Sequence, residues 1–159
     1  KENLQSVLGA EFEVLYPRMP NKQNARYEEW KIWFERMFPF LRDGVILVGH
    51  SQGAIFLAKY LAENRFPKKI KATFLVAAPH NHTKEVGDFL IGALKQFGEQ
   101  CGELHLYHSK DDPVVPFSEM QVYCDELPQA HVQVFEDRQH FNQETFPELV
   151  VDIRQTLVK

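Results

Sequence analysis

Cysteine is scarce, with two residues, Cys101 and Cys124, in a chain of 159. Two thiols cannot build the multi-bridge framework of a small secreted domain, so a reduced, cytoplasmic setting is the simpler expectation. Long apolar runs are also missing. None approaches the roughly 18–20 residues that a membrane-spanning helix needs, so no membrane partner is expected. Basic stretches are sparse, the densest being Lys68-Lys69 with Lys71, and 18 Lys and Arg against 22 Asp and Glu leave a net charge of −4. Nucleic-acid binding asks for a basic face and is not expected either. Internal repeats, low-complexity tracts and linker-like segments are absent. The chain opens on Lys1, without the charged start and apolar core of a signal peptide, which suggests a fragment or a processed end.

What the chain does have is core-forming sequence, 44% hydrophobic and 13% aromatic. This suits one folded domain over residues 1–159. Glu11 to Tyr16 alternates and stops at Pro17, as a short strand does. Trp30, Trp33, Phe34 and Met37 give a helical stripe within residues 24–38. Val45-Ile46-Leu47-Val48 is a continuous run of β-formers, expected of a parallel strand buried on both faces. Helical spacing returns in Ala54, Leu57, Ala58, Leu61 and Ala62. A second buried strand is expected over Thr73–Ala77, and a helix over Val86–Phe97. Leu104–Tyr107 reads as a strand, residues 117–127 as a helix ended by Pro128, Val132–Phe135 as a strand, and Phe146 to Leu157 as the last helix. Strict β/α alternation with short links predicts a three-layer α/β/α sandwich around a mostly parallel sheet.

Gly49-His50-Ser51-Gln52-Gly53 sits where strand turns into helix. A sharp turn there lifts the serine side chain clear of the sheet, and the glycines let the flanking backbone pack closely. The N–H of Gln52, at the start of the following helix, is placed to donate to a developing oxyanion. The competing reading, an ordinary turn with a helix-capping serine, does not account for the strand-turn-helix context. A serine hydroxyl also needs a base. In folds with this turn the partners follow in the order Ser, Asp, His, each after a later strand. Asp111-Asp112-Pro113 follows the Leu104–Tyr107 strand, and Asp112, leading into the rigid Pro113 turn, is the expected acid. His140 follows the last strand and is the expected base. His50, beside the serine, is expected to face away, although its place makes it a candidate substrate contact. His105, His108, His131, His80 and His82 lack the combination of chain order and terminal loop. His80-Asn81-His82 has no third ligand at metal-site spacing, so no metal is expected.

With these positions in hand, the chain resembles the small α/β-hydrolases of the retinoblastoma-binding-protein-9-like and YdeN-like group. The matching residues are Val45 to Gly53, Ser109-Lys110-Asp111-Asp112-Pro113-Val114-Val115-Pro116, and His140-Phe141. The resemblance implies Ser51, Asp112 and His140 as a catalytic triad and a serine esterase-like activity; a small carboxylic ester or related acyl compound is the expected substrate, and no cofactor is expected. Two departures stand out. Members of the group commonly carry glycine before the histidine, where this chain has Gln139. The group also opens with an apolar strand and a His-Gly-rich loop that supplies a second oxyanion donor. Lys1 to Gly9 resembles the helix after that loop. The resemblance therefore implies that a strand and loop of roughly 15–25 residues are missing upstream. Losing one oxyanion donor typically costs about 10²–10³ in turnover, so a catalytically weak protein-interaction module on a hydrolase scaffold is the alternative function. The segment between the Thr73–Ala77 strand and Leu104 is too short for a large lid. Phe89 and Phe97, with Trp30 and Trp33, are candidates for an acyl-binding wall, against the simpler expectation that helical stripes face the core.

Overall fold

Four strands form over the segments with strand-like apolar runs: β1 (Val45–His50), β2 (Ile70–Val76), β3 (Glu103–Ser109) and β4 (His131–Phe135). The computed structural model describes residues 4–81 and 84–158. All strand pairs are parallel, in the order β1-β2-β3-β4. Parallel neighbours need a crossover. Here the crossovers carry α3 (Gln52–Glu63), α4 (Lys95–Gln100) and α5 (Phe117–Glu126). Helices α1 (Leu4–Leu8) and α2 (Tyr27–Glu35) precede β1, and α6 (Pro147–Val158) follows β4.

Alternation along the strands supplies two cores. Leu47, Leu75, Leu104 and Leu106 join Trp30 and Phe34 of α2, Ile55 and Leu61 of α3, Phe97 of α4, and Met120 and Tyr123 of α5. Ala72, Phe74, Val76 and Tyr107 join Leu8 of α1 with Leu149 and Ile153 of α6. Helices therefore cover both faces of the sheet, giving the α/β/α layering that strict alternation predicts.

Four sequence expectations need correction. The Val45–Val48 run is not buried on both faces, because β1 stands at the end of the described sheet: Leu47 is buried but Val48 is 39% exposed. Residues 11–16 do not form a strand. The side-chain amide of Gln5 takes the place of a ladder partner: its Nε2 donates to the Phe12 carbonyl at 2.8 Å and its Oε1 accepts from the Val14 N–H at 2.8 Å. The helix expected over 24–38 is α2, flanked by 3₁₀ turns at Lys22–Asn24 and Phe38–Phe40, the latter containing Pro39. The helix expected over Val86–Phe97 is broken into a 3₁₀ segment, an irregular stretch and α4. Gly87 adopts φ 58°, ψ −125°, which ends helical progression. The Asn81 side chain then brackets Ile91, accepting its N–H at 2.8 Å and donating to its carbonyl at 2.7 Å. The apolar spacing reported burial correctly, since Val86, Phe89, Leu94 and Phe97 are all in the core.

Candidate active site

The Gly49–Gly53 turn, a sharp elbow in the backbone, lies between β1 and α3. Ser51 takes φ 53°, ψ −120°, outside the helical and extended regions. It is held there by its N–H, which donates to the Val76 carbonyl of β2 at 2.9 Å, and by its carbonyl, which accepts from Ala54 at 2.8 Å. Strain of this kind persists only where the surroundings fix it. A Cβ on Gly49 would stand 2.6 Å from the Gly53 carbonyl oxygen and 2.7 Å from Ala54 Cα, so a side chain there would push α3 off the end of β1. Gln52 is the first residue of α3. Its N–H is among those at a helix start that have no intrahelical acceptor.

Two later strand ends bring the partners. The loop after β3 carries Asp112, whose side chain is fully buried. Its Oδ1 accepts from the N–H groups of Val114 and Val115 at 2.8 and 2.9 Å, which orients the carboxylate. His140, in the loop after β4, donates from Nδ1 to Asp112 Oδ2 at 2.9 Å. Its Nε2 stands 2.9 Å from Ser51 Oγ. A carboxylate only accepts, so Nδ1 carries the proton and Nε2 is left to accept from the serine hydroxyl. The structure thus brings together all three residues expected from the sequence, in a chain of hydrogen bonds running acid, imidazole, hydroxyl.

Other candidates are placed differently. His50 does not face away. Its Nε2 donates to the carbonyl of His140 at 2.8 Å, and the two rings lie 4.9 Å apart between centroids. Phe89 and Phe97 are 1% and 0% exposed and belong to the core, so neither lines an open acyl wall. Phe89 meets Trp30 and Tyr27 edge-on at 5.3 and 5.8 Å. Trp30 is buried with them, whereas Trp33 is 44% exposed. The open space beside the elbow is instead a cavity of about 360 Å³ bordered by Lys22, Asn24, Arg26, Gln52, Gly87 and Asp88. Sequence periodicity could not have found it, because its polar wall comes from two irregular segments. His80 is buried, with its backbone N–H bonded to the Glu119 carboxylate. His82, the other half of the His-Asn-His pattern, lies outside the described residues. Among the described residues no group of three or more His, Cys, Asp or Glu side chains is placed to hold a metal ion. No helix among them is long and apolar enough to cross a membrane.

This arrangement has sequence relatives. A family model described as serine hydrolase matches residues 4–148. The chain belongs to the serine hydrolase family. It is an enzyme of the hydrolase class. The rat protein named serine hydrolase RBBP9 is 28% identical to it over 166 aligned residues, spanning 99% of this chain and 83% of the rat protein. Among solved structures, the ydeN gene product of B. subtilis superposes with a TM-score of 0.78 at 21% identity, covering 89% of this chain and 80% of that one. A meta-cleavage product hydrolase from Pseudomonas fluorescens gives a TM-score of 0.65 at 13% identity, covering 87% and 74%. At these identities the two structures share the α/β-hydrolase fold with this chain.

Beneath the Asp112 loop of the hydrolase lies His108, 1% exposed. Its Nε2–H donates to the Val115 carbonyl at 3.0 Å, holding the same turn whose N–H groups grip Asp112. Burial, more than anything else, pulls the His108 pKa below the ordinary 6.5, and nearby His140 pulls the same way. The Val115 carbonyl, Asp112 and Glu119 oppose the shift. Burial likewise lowers His105, against the opposing pull of Glu103. Both rings are therefore neutral when folded at pH values where the unfolded chain already binds protons. Their contribution to stability is fully present above the unfolded value of 6.5 and is lost as pH falls below it. The urea midpoint is expected to drop between about pH 6.5 and pH 5, and to drop less in a His105→Gln, His108→Gln double variant. Equal slopes in the two proteins would contradict this account.

Proposed function

We propose that this serine hydrolase cleaves a small carboxylic ester or related acyl substrate through an acyl-enzyme on Ser51. The observation that carries the reading is the unbroken line from Asp112 Oδ2 through His140 to Ser51 Oγ, 2.9 Å at each step. In this reading Ser51 Oγ attacks the acyl carbonyl while its proton passes to His140 Nε2. Asp112 holds the imidazole in the tautomer that can accept it and stabilises the cation that results. The tetrahedral oxyanion takes a hydrogen bond from the Gln52 N–H at the positive end of α3. Collapse breaks the bond to the leaving alcohol, which receives the proton from His140. Water then adds to the acyl-enzyme, giving its proton to His140 and releasing the carboxylic acid as Ser51 regains its hydrogen. No cofactor enters the cycle.

The polar cavity beside Gln52 supports a small substrate over a long acyl chain, because Lys22, Arg26 and Asp88 on its border would lose hydration against a lipid tail. Two free cysteines suit a reducing, cytoplasmic location. A fluorophosphonate probe is expected to add its phosphonyl group to Ser51 Oγ, seen as a mass shift on the peptide containing Gly49 to Gly53. The Ser51→Ala variant is expected to stay unmodified. Folded parent protein that takes up no label and turns over no ester would defeat this reading and favour the interaction-module alternative.

A further inference from the structure

The turn that carries His140 is strained on both sides. Gln139 and Phe141 both adopt left-handed backbone, with φ 48° and 53°. A residue with a Cβ pays for that conformation unless something holds it. The holding groups come from the loop after β3. Asp111 Oδ1 accepts the Gln139 N–H at 2.8 Å and the Ser109 hydroxyl at 2.5 Å. Ser109 Oγ in turn accepts the Arg138 N–H at 2.9 Å. The shorter, charge-assisted partner takes the single Ser109 hydroxyl proton, ahead of the Phe135 carbonyl at 3.3 Å. Ser109 itself is fully buried at the end of β3. Two consecutive acids therefore converge on one histidine by different routes. Asp112 bonds to its ring, and Asp111 bonds to the backbone that aims it.

We infer that Asp111, working through Ser109, is a positioning residue that locks the Arg138–Phe141 turn so that His140 Nε2 stays on Ser51. The inference rests on the proposed relay, and it adds a residue that touches neither substrate nor reacting atoms. Asp111 is exposed, so its service to the turn is not a matter of burial. The Ser109 hydroxyl is the main group holding its carboxyl below the ordinary value, which keeps it an acceptor. What the turn requires is an oxygen at the Oδ1 position; the charge is secondary.

This separates two conservative variants. Asp111→Asn keeps an oxygen where Oδ1 stands and removes the charge. Asp111→Glu keeps the charge and carries the oxygens about one bond further out. The Asn variant is expected to stay within about threefold of the parent in kcat. The Glu and Ala variants are expected to lose about 10–100-fold in kcat with KM nearly unchanged, as displacement of a catalytic group by about 1 Å does. Adding Gln139→Gly to Asp111→Ala should recover several-fold, because glycine enters the left-handed region without the Cβ penalty. The rate of fluorophosphonate labelling should follow kcat in every variant. A second readout does not depend on turnover. The proton on His140 Nδ1, bonded to Asp112, should give a sharp downfield NMR signal in the parent and the Asn variant and a broadened one in the Glu and Ala variants. A Glu variant with parental kcat and a sharp signal would overturn the inference, as would an Asn variant as impaired as the Ala one. An unlabelled parent would instead count against the relay itself, while the NMR arm still reads whether Asp111 sets His140.

Discussion

Replacing His140 by Gln should lower kcat by roughly 10⁴–10⁶-fold, the scale on which removal of such a base acts in enzymes of this kind. The amide cannot take the proton of Ser51, whose hydroxyl is bonded to His140 Nε2 at 2.9 Å. The His50 ring, packed beside that of His140, is already engaged, since its Nε2–H donates to the His140 carbonyl. That bond uses backbone, so the substitution keeps it and the turn keeps its anchor. The fold should survive with a modest fall in Tm, because Asp112 retains the N–H groups of Val114 and Val115. Adding Ser51→Ala to His140→Gln should cost little more, as expected when residues act as one unit. Steady-state turnover of an activated ester reads all three proteins. A His140→Gln variant within 100-fold of the parent would mean that a different base serves Ser51.

Asp112→Asn should be nearly as severe, about 10⁴-fold in kcat, for a reason legible in the local bonds. Asp112 Oδ1 is fixed by two backbone donors, so the oxygen of an asparagine must take that place. Its NH₂ group then occupies the Oδ2 position, facing His140 Nδ1. Two donors cannot share one bond. The oxygen at Oδ1 also stands 3.1 Å from Nδ1 but already accepts from two backbone donors, so the imidazole is driven to move its proton to Nε2, where it points at Ser51 Oγ as a donor and no longer accepts. Geometry is preserved and function lost, so the variant should match the parent in Tm while failing to turn over. Asp112→Asn with kcat within tenfold of the parent would show that the carboxylate does not set the tautomer.

How much of this was legible in the sequence depends on what kind of contact fixed each part. The apolar runs at Val45–Val48 and Thr73–Ala77 announced strands, but only the second is buried on both faces, since β1 stands at the end of the described sheet and leaves Val48 exposed. The elbow, Asp112 and His140 were legible because their order follows from the topology. Periodicity failed where a glycine's backbone or a side-chain bond decided the path. Gly87 breaks the helix that apolar spacing suggested over Val86–Phe97, and Asn81 holds the irregular stretch at Ile91. Gln5 satisfied the backbone of a segment that alternation marked as a strand. Phe89 and Phe97 face the core, as helical stripes generally do. The orientation of His50 and the double use of Asp111 and Asp112 left no sequence signal. Both are set by loops that meet only once the strands are in register.

The hydroxyl of Ser51 and the nitrogen that accepts from it are 89 positions apart in the chain. Synthesis at about 5–20 residues per second therefore separates them by roughly 5–20 s. Throughout that interval the nascent protein carries its serine without the His140 ring, because His140 follows both β3 and β4 in the chain. Backbone order thus acts as a timer. The Ser51 hydroxyl can therefore meet the His140 ring only once most of the described chain has been made.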